Sequence, residues 1–131
     1  MCPHRNRFVA MLLLLGSFLL AGCGSGARGW ADHTQGLPFV FGYEEGLKAA
    51  AEQKKPAMMF VTTTWCGWCK KLAVENFNDA EEKELLSNFV CVIVDGDEEK
   101  SAARKLGGTG YPHLVFLSST GEKLGEQSGY A

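Results

Sequence analysis

The sequence predicts one α/β domain, a central mixed β-sheet flanked by helices. Two observations carry that expectation. The apolar runs at Pro56-Ala57-Met58-Met59-Phe60-Val61 and Phe89-Val90-Cys91-Val92-Ile93-Val94 have the length and composition of strands buried on both faces. Segments with helical spacing alternate with the strands, in the order strand, helix, strand, helix, strand, helix, strand, strand. Such an order needs right-handed crossovers for its parallel part, and it places the ligand site at the ends of the central strands.

Each element has a local reason. Leu37-Pro38-Phe39-Val40-Phe41 reads as a short edge strand, because Pro38 is tolerated only at an edge or a strand start. Tyr43, Leu47, Ala50 and Ala51 recur on one helical face, and that helix must end before Pro56. A strand follows up to Thr64, and Leu72, Ala73 and Phe77 then supply the apolar face of a second helix. Asp79-Ala80-Glu81-Glu82 has capping-box spacing, with Asp79 covering early amides and Glu82 reaching back. Leu85, Leu86 and Phe89 lead into the second buried strand. Residues 98–106 read as a helix stopped by Gly107-Gly108, and Leu114-Val115-Phe116-Leu117 as a strand. Ser118-Ser119-Thr120-Gly121 then turns into Glu122-Lys123-Leu124, its antiparallel partner.

The first residues read as an address. Arg5 and Arg7 precede fourteen uncharged residues from Phe8 to Ala21, shorter than the roughly 20 apolar residues of a spanning helix. The run ends in Leu20-Ala21-Gly22-Cys23, which resembles the bacterial lipobox. The expected organisation is therefore a lipoprotein-type signal peptide at 1–22, lipidation at Cys23, a flexible tether at 23–36 and a domain at 37–131. An ordinary secretory signal cut nearby is the alternative. Either address puts the domain outside the cytoplasm in a disulfide-permissive compartment, and lipid on Cys23 would anchor it to a bacterial membrane facing the periplasm.

Removing residues 1–22 leaves 109, enough for one modest core. That part carries eleven Lys or Arg against fifteen Asp or Glu, a formal charge of −4, with no basic stripe for nucleic acid. The acidic clusters at 81–84 and 95–99 read as solvated helix starts.

The five cysteines divide by setting. Cys2 leaves with the signal, Cys23 is the lipid candidate, Cys91 sits inside an apolar strand as an inert thiol, and Cys66 and Cys69 remain as a pair. Two cysteines separated by two residues at a strand-to-helix turn fit reversible disulfide chemistry. Cys66 at the helix start is the expected attacking thiolate, and Cys69, one turn inward, the resolving thiol. A closed zinc site needs four donors, and His33, Cys91 and His113 complete none by spacing, so no metal is expected. Trp65 reads mainly as a packing residue, Trp68 equally as packing or substrate surface, and Lys70 as a solvated side chain. Tyr111-Pro112, directly before a strand, is either an ordinary turn or a cis bond presenting a backbone edge to a substrate.

The run Trp65-Cys66-Gly67-Trp68-Cys69-Lys70 together with Tyr111-Pro112 resembles the thioredoxin superfamily over residues 37–130, in particular its secreted or lipoprotein branch. The resemblance implies a thioredoxin-like fold, a nucleophilic Cys66, a resolving Cys69, a cis Pro112 with a catalytic role, and substrate binding across Trp68, Tyr111 and Pro112. It implies a thiol-disulfide oxidoreductase with no cofactor beyond its dithiol, acting on protein or peptide thiols and disulfides with a redox donor or acceptor protein. The alternative is an adaptor or chaperone-type module with incidental redox activity. Three departures stand out: Trp68 where thioredoxins have Pro, Phe60 where they bury an acid, and no C-terminal helix after the last strand. From the last of these, one sheet face is expected to lie open or to be covered by a partner, or the chain is a fragment.

Overall fold

A five-stranded mixed sheet forms the middle layer of the computed structural model, which describes residues 29–130. The elements are α1 (Ala31–Thr34), β1 (Val40–Phe41), α2 (Tyr43–Gln53), β2 (Ala57–Thr62), α3 (Gly67–Asn76), α4 (Ala80–Leu86), β3 (Val90–Asp95), α5 (Lys100–Lys105), β4 (His113–Leu117) and β5 (Lys123–Ser128). Across the sheet the order is β1-β3-β2-β4-β5. β1 and β2 run parallel to β3, β4 runs antiparallel to β2, and β5 antiparallel to β4. The signal segment, Cys23 and residues 24–28 of the expected tether lie outside the described residues.

Strand side chains alternate between faces, so the central strands feed two cores at once. Met58, Phe60, Cys91, Ile93 and Leu114 pack with Trp30, Phe39, Leu72, Ala73 and Phe77. Met59, Val61, Val92, Val94 and Val115 pack with Tyr43, Ala50, Ala103 and Leu106. A fully buried side chain of this size contributes about 1.5–3 kcal/mol. The ion pairs Lys71–Glu75 and Lys123–Glu126 are about half exposed and add at most about 1 kcal/mol each, so apolar burial holds the sheet.

Several joints are made by single residues. Glu99 Oε1 accepts the Tyr43 amide at 2.8 Å, capping α2 from a distant part of the chain, while Oε2 accepts the Asp95 amide at 3.2 Å. Gly46 faces Val92, whose methyls would lie 2.6 Å from a β-carbon at that position, so α2 rests directly on β3. Asp79 caps α4 by accepting the Glu81 and Glu82 amides at 2.9 and 3.1 Å. Its own amide donates to Asn76 at 3.2 Å in place of the expected reach of Glu82.

The expected tether needs correction at its C-terminal end. Residues 30–36 fold onto the domain: Trp30 is buried, His33 is 0 % exposed, and α1 packs beside α3. Apolar burial of Trp30 holds this segment, which by itself has no helical periodicity. On the α3 side of the sheet, Met58, Leu72, Phe77, Leu114 and Phe116 line an open groove of about 400 Å³.

Candidate active site

The chain leaves β2 at Thr62, turns through Thr63, Thr64 and Trp65, and enters α3 with Cys66 as its N-cap. Cys66 has extended backbone angles (φ −74°, ψ 103°), and its Sγ accepts the Cys69 amide at 3.2 Å. A hydroxyl or carboxylate oxygen usually fills this capping role. A sulfur doing so gains most as a thiolate, because a charged acceptor bonds more strongly and the helix dipole favours the same charge. Cys66 and Cys69 are joined as a disulfide with Cα atoms 5.3 Å apart. Cys66 retains 5 % exposure and Cys69 none, so the N-terminal sulfur is the one a partner can approach.

The Tyr111–Pro112 peptide bond is cis. Tyr111 is set from two sides: Trp65 meets its ring edge-on at 6.0 Å, and a β-carbon at Gly96 would overlap the ring. Pro112 is buried, and its carbonyl accepts the Gly129 amide at 2.8 Å, which holds the end of β5 beside it. Trp68, 59 % exposed, stands 5.3 Å from Tyr130, and Lys71 Nζ lies 5.3 and 4.9 Å from the two rings. The Tyr130 hydroxyl donates to Glu75, which raises the phenol's pKa above its ordinary value. Trp68, Tyr111, Pro112 and Tyr130 together line a cleft of about 250 Å³.

Trp65 is not a packing residue. It is 65 % exposed, and its Nε1 donates to Asp97 Oδ2 at 2.8 Å, so the indole is held out over the β3 end of the site. Cys91 is buried in β3, and desolvation pushes its thiol up to about 11, far from the range of a reactive cysteine. The ring of His113 is committed within the core: Nε2 lies 3.1 Å from the Leu106 carbonyl and Nδ1 2.9 Å from Ser128 Oγ. Lys70 is partly exposed and reaches Asp32 at 3.8 Å.

Three contributors escape sequence reading: Asp97, Gly96 and Tyr130. Each meets an aromatic side chain of the site, Trp65, Tyr111 or Trp68, only when strand register or loop packing brings it there, and no spacing in the chain signals those contacts.

The model of the thioredoxin-like domain matches residues 43–131. The chain belongs to the thioredoxin-like family. Among its relatives, this thioredoxin-like protein is 35% identical over 87 residues to protein disulfide isomerase-like 2-2 of Oryza sativa subsp. japonica, an alignment covering 66% of the chain and 23% of the relative. It is 25% identical over 145 residues to the thiol:disulfide interchange protein DsbD of Ralstonia nicotianae, covering 92% of the chain and 24% of the relative. A thioredoxin from Thermus thermophilus superposes with a TM-score of 0.61 at 25% identity, over 71% of this chain and 77% of that one. The chain spans between 11% and 51% of the length of the curated relatives it matches.

Proposed function

We propose that this protein is a thiol-disulfide oxidoreductase that cycles Cys66 and Cys69 between dithiol and disulfide on extracytoplasmic protein or peptide substrates. The observation that carries the reading is the capping sulfur: Cys66 Sγ receives the Cys69 amide at the start of α3, with the resolving sulfur fully buried and within bonding reach. In the reducing direction the Cys66 thiolate attacks a substrate disulfide, one substrate sulfur leaves as thiolate, and a mixed disulfide forms. Cys69 then attacks Cys66 Sγ, the second substrate sulfur leaves, and two electrons have passed to the substrate. The names of the relatives, a disulfide isomerase and a disulfide interchange protein, support the same chemistry.

The cleft between Trp68, Tyr111, Pro112 and Tyr130 would hold the polypeptide flanking the reacting sulfur. The leader and Cys23 support export and lipid anchoring to a membrane, with a separate redox protein as electron donor or acceptor. Turbidity from insulin reduction should appear with the native dithiol and vanish in Cys66→Ser, while Cys69→Ser should accumulate the mixed disulfide. Equal activity of Cys66→Ser would sink the enzyme reading. A reduction potential near −270 mV would assign a reductase and one near −120 mV an oxidant. Mass spectrometry of the membrane fraction should find an acylated Cys23 as the mature N-terminus.

The exposed Trp65 and Trp68 beside the pair also support the adaptor reading. Undiminished binding of a peptide by the double variant Cys66→Ser, Cys69→Ser, with no turnover by the native protein, would select it.

A further inference from the structure

Among the described residues the two His33 ring nitrogens and the Thr63 hydroxyl are buried without a well-formed hydrogen bond, the Thr63 main chain being the nearest polar group to the ring. Leaving such a group unpaired costs about 1–3 kcal/mol, so a fully buried imidazole in this state requires a reason.

Its location supplies one. Trp30 meets the ring edge-on at 4.9 Å and Phe60 stands 6.1 Å away, and both belong to the core cluster that contains Cys66 and Cys69. Asp32, next to His33 in α1, reaches Lys70, next to Cys69 in α3. The Thr63 carbonyl accepts the Cys66 amide at 3.2 Å, so the residue with the orphan hydroxyl is itself bonded to the dithiol segment. The imidazole is thus packed against two side chains that share a core with the cysteines, beside the Thr63 main chain that leads into them.

The dithiol cycle has a need that this ring can meet. Cys69 is 0 % exposed, and burial disfavours its thiolate, yet it must lose a proton to attack Cys66. We propose that His33 is the buried base of the dithiol, taking the Cys69 proton as the mixed disulfide is resolved and returning it when the disulfide is reduced. The inference rests on the oxidoreductase reading. In the step, the Cys69 S–H proton passes to a ring nitrogen and the freed electron pair forms the Cys69–Cys66 bond. The bond from Cys66 to the substrate sulfur breaks, and that sulfur leaves with the electron pair as thiolate.

Burial is the main cause that lowers the His33 pKa below 6.5, the Thr63 main chain opposes it, Lys70 lowers it further and Asp32 raises it. The ring is therefore neutral at pH 7 and free to accept. The charged groups facing it are Asp32 from α1 and Lys70 from α3; β2 contributes the uncharged Phe60 and the chain after it Thr63.

Stopped-flow reaction of the reduced full-length protein with 5,5′-dithiobis(2-nitrobenzoate) separates the two ideas. The first release of thionitrobenzoate reports attack by Cys66, and the second reports resolution by Cys69. In His33→Gln the second phase should slow about a hundredfold near pH 6.5–7.5, the low end for loss of a general base, with the first phase unchanged. The gap should narrow as the pH rises, because hydroxide then removes the Cys69 proton without help. An unchanged second phase, or the same loss at every pH, would overturn the role of His33. No Cys66 phase in the native protein would sink the oxidoreductase reading, and the base with it. In the unmutated protein, the NMR titration of the His33 ring should differ between dithiol and disulfide forms; superimposable curves would also refute the proposal.

Discussion

Cys91 and His33 are buried groups that resist charging, one from the acid side of its titration and one from the basic side. A Cys91 thiol raised to about 11 keeps its proton longer when folded than when unfolded. Between pH 9 and 11 the native state therefore holds more protons than the unfolded state, and stability falls as pH rises, by at most about 2–3 kcal/mol. Cys91→Ala should remove that part of the alkaline loss in urea titrations. Iodoacetamide at pH 8 should modify Cys66 in the reduced protein and spare native Cys91. His33 has the opposite sign: its folded pKa lies below 6.5, so its contribution is present above pH 6.5 and is lost as pH falls through the folded value. Comparing urea midpoints at pH 7 and pH 5 should show a drop in the native protein that is smaller in His33→Gln.

Helix α2 and helix α4 are fastened differently, and substitutions should separate them. Gly46→Ala gains up to about 1 kcal/mol in helix propensity but drives a methyl into Val92, and overpacking typically costs about 1–3 kcal/mol. The net expectation is a lower thermal midpoint, since Val92 lies in a central strand paired on both sides and has little room to yield. Asp79→Ala should cost only about 1 kcal/mol, the ordinary worth of an N-cap, because α4 is exposed and buries no residue of its own. Equal losses from the two variants would contradict this picture. The difference was only partly legible beforehand. Tyr43 and Ala50 mark the buried face of α2 in the sequence, but the third buried residue is Gly46, which carries no apolar signal, and Ala51 is exposed. Asp79 was legible because capping is decided within four residues. α1 was illegible, since Ala-Asp-His-Thr has no periodicity and only the distant docking of Trp30 and His33 orders it.

The same division between local and distant causes applies to the whole molecule. The central strands and the cysteine pair could be read from the chain because apolar runs and two-residue spacing are local facts. The approach of Tyr130 to Trp68 and the hold of Asp97 on Trp65 depend on how β5 and the loop after β3 come to rest, so composition does not report them. A chain started at Leu37, the boundary expected from sequence, loses Trp30 and His33 from the core and should be about 3 kcal/mol less stable than one started at Gly29. For a domain of this size that is a fall of more than about 10 °C, measurable by circular dichroism; coincident melts would show that α1 adds nothing. The docking of Trp30 on the domain also sets a working height. If Cys23 carries lipid, it lies seven Cα steps before Trp30, and seven steps extend at most about 25 Å. The dithiol would then serve a thin shell of space next to the bilayer, and its range of substrates would be set by their distance from that surface as much as by their sequence.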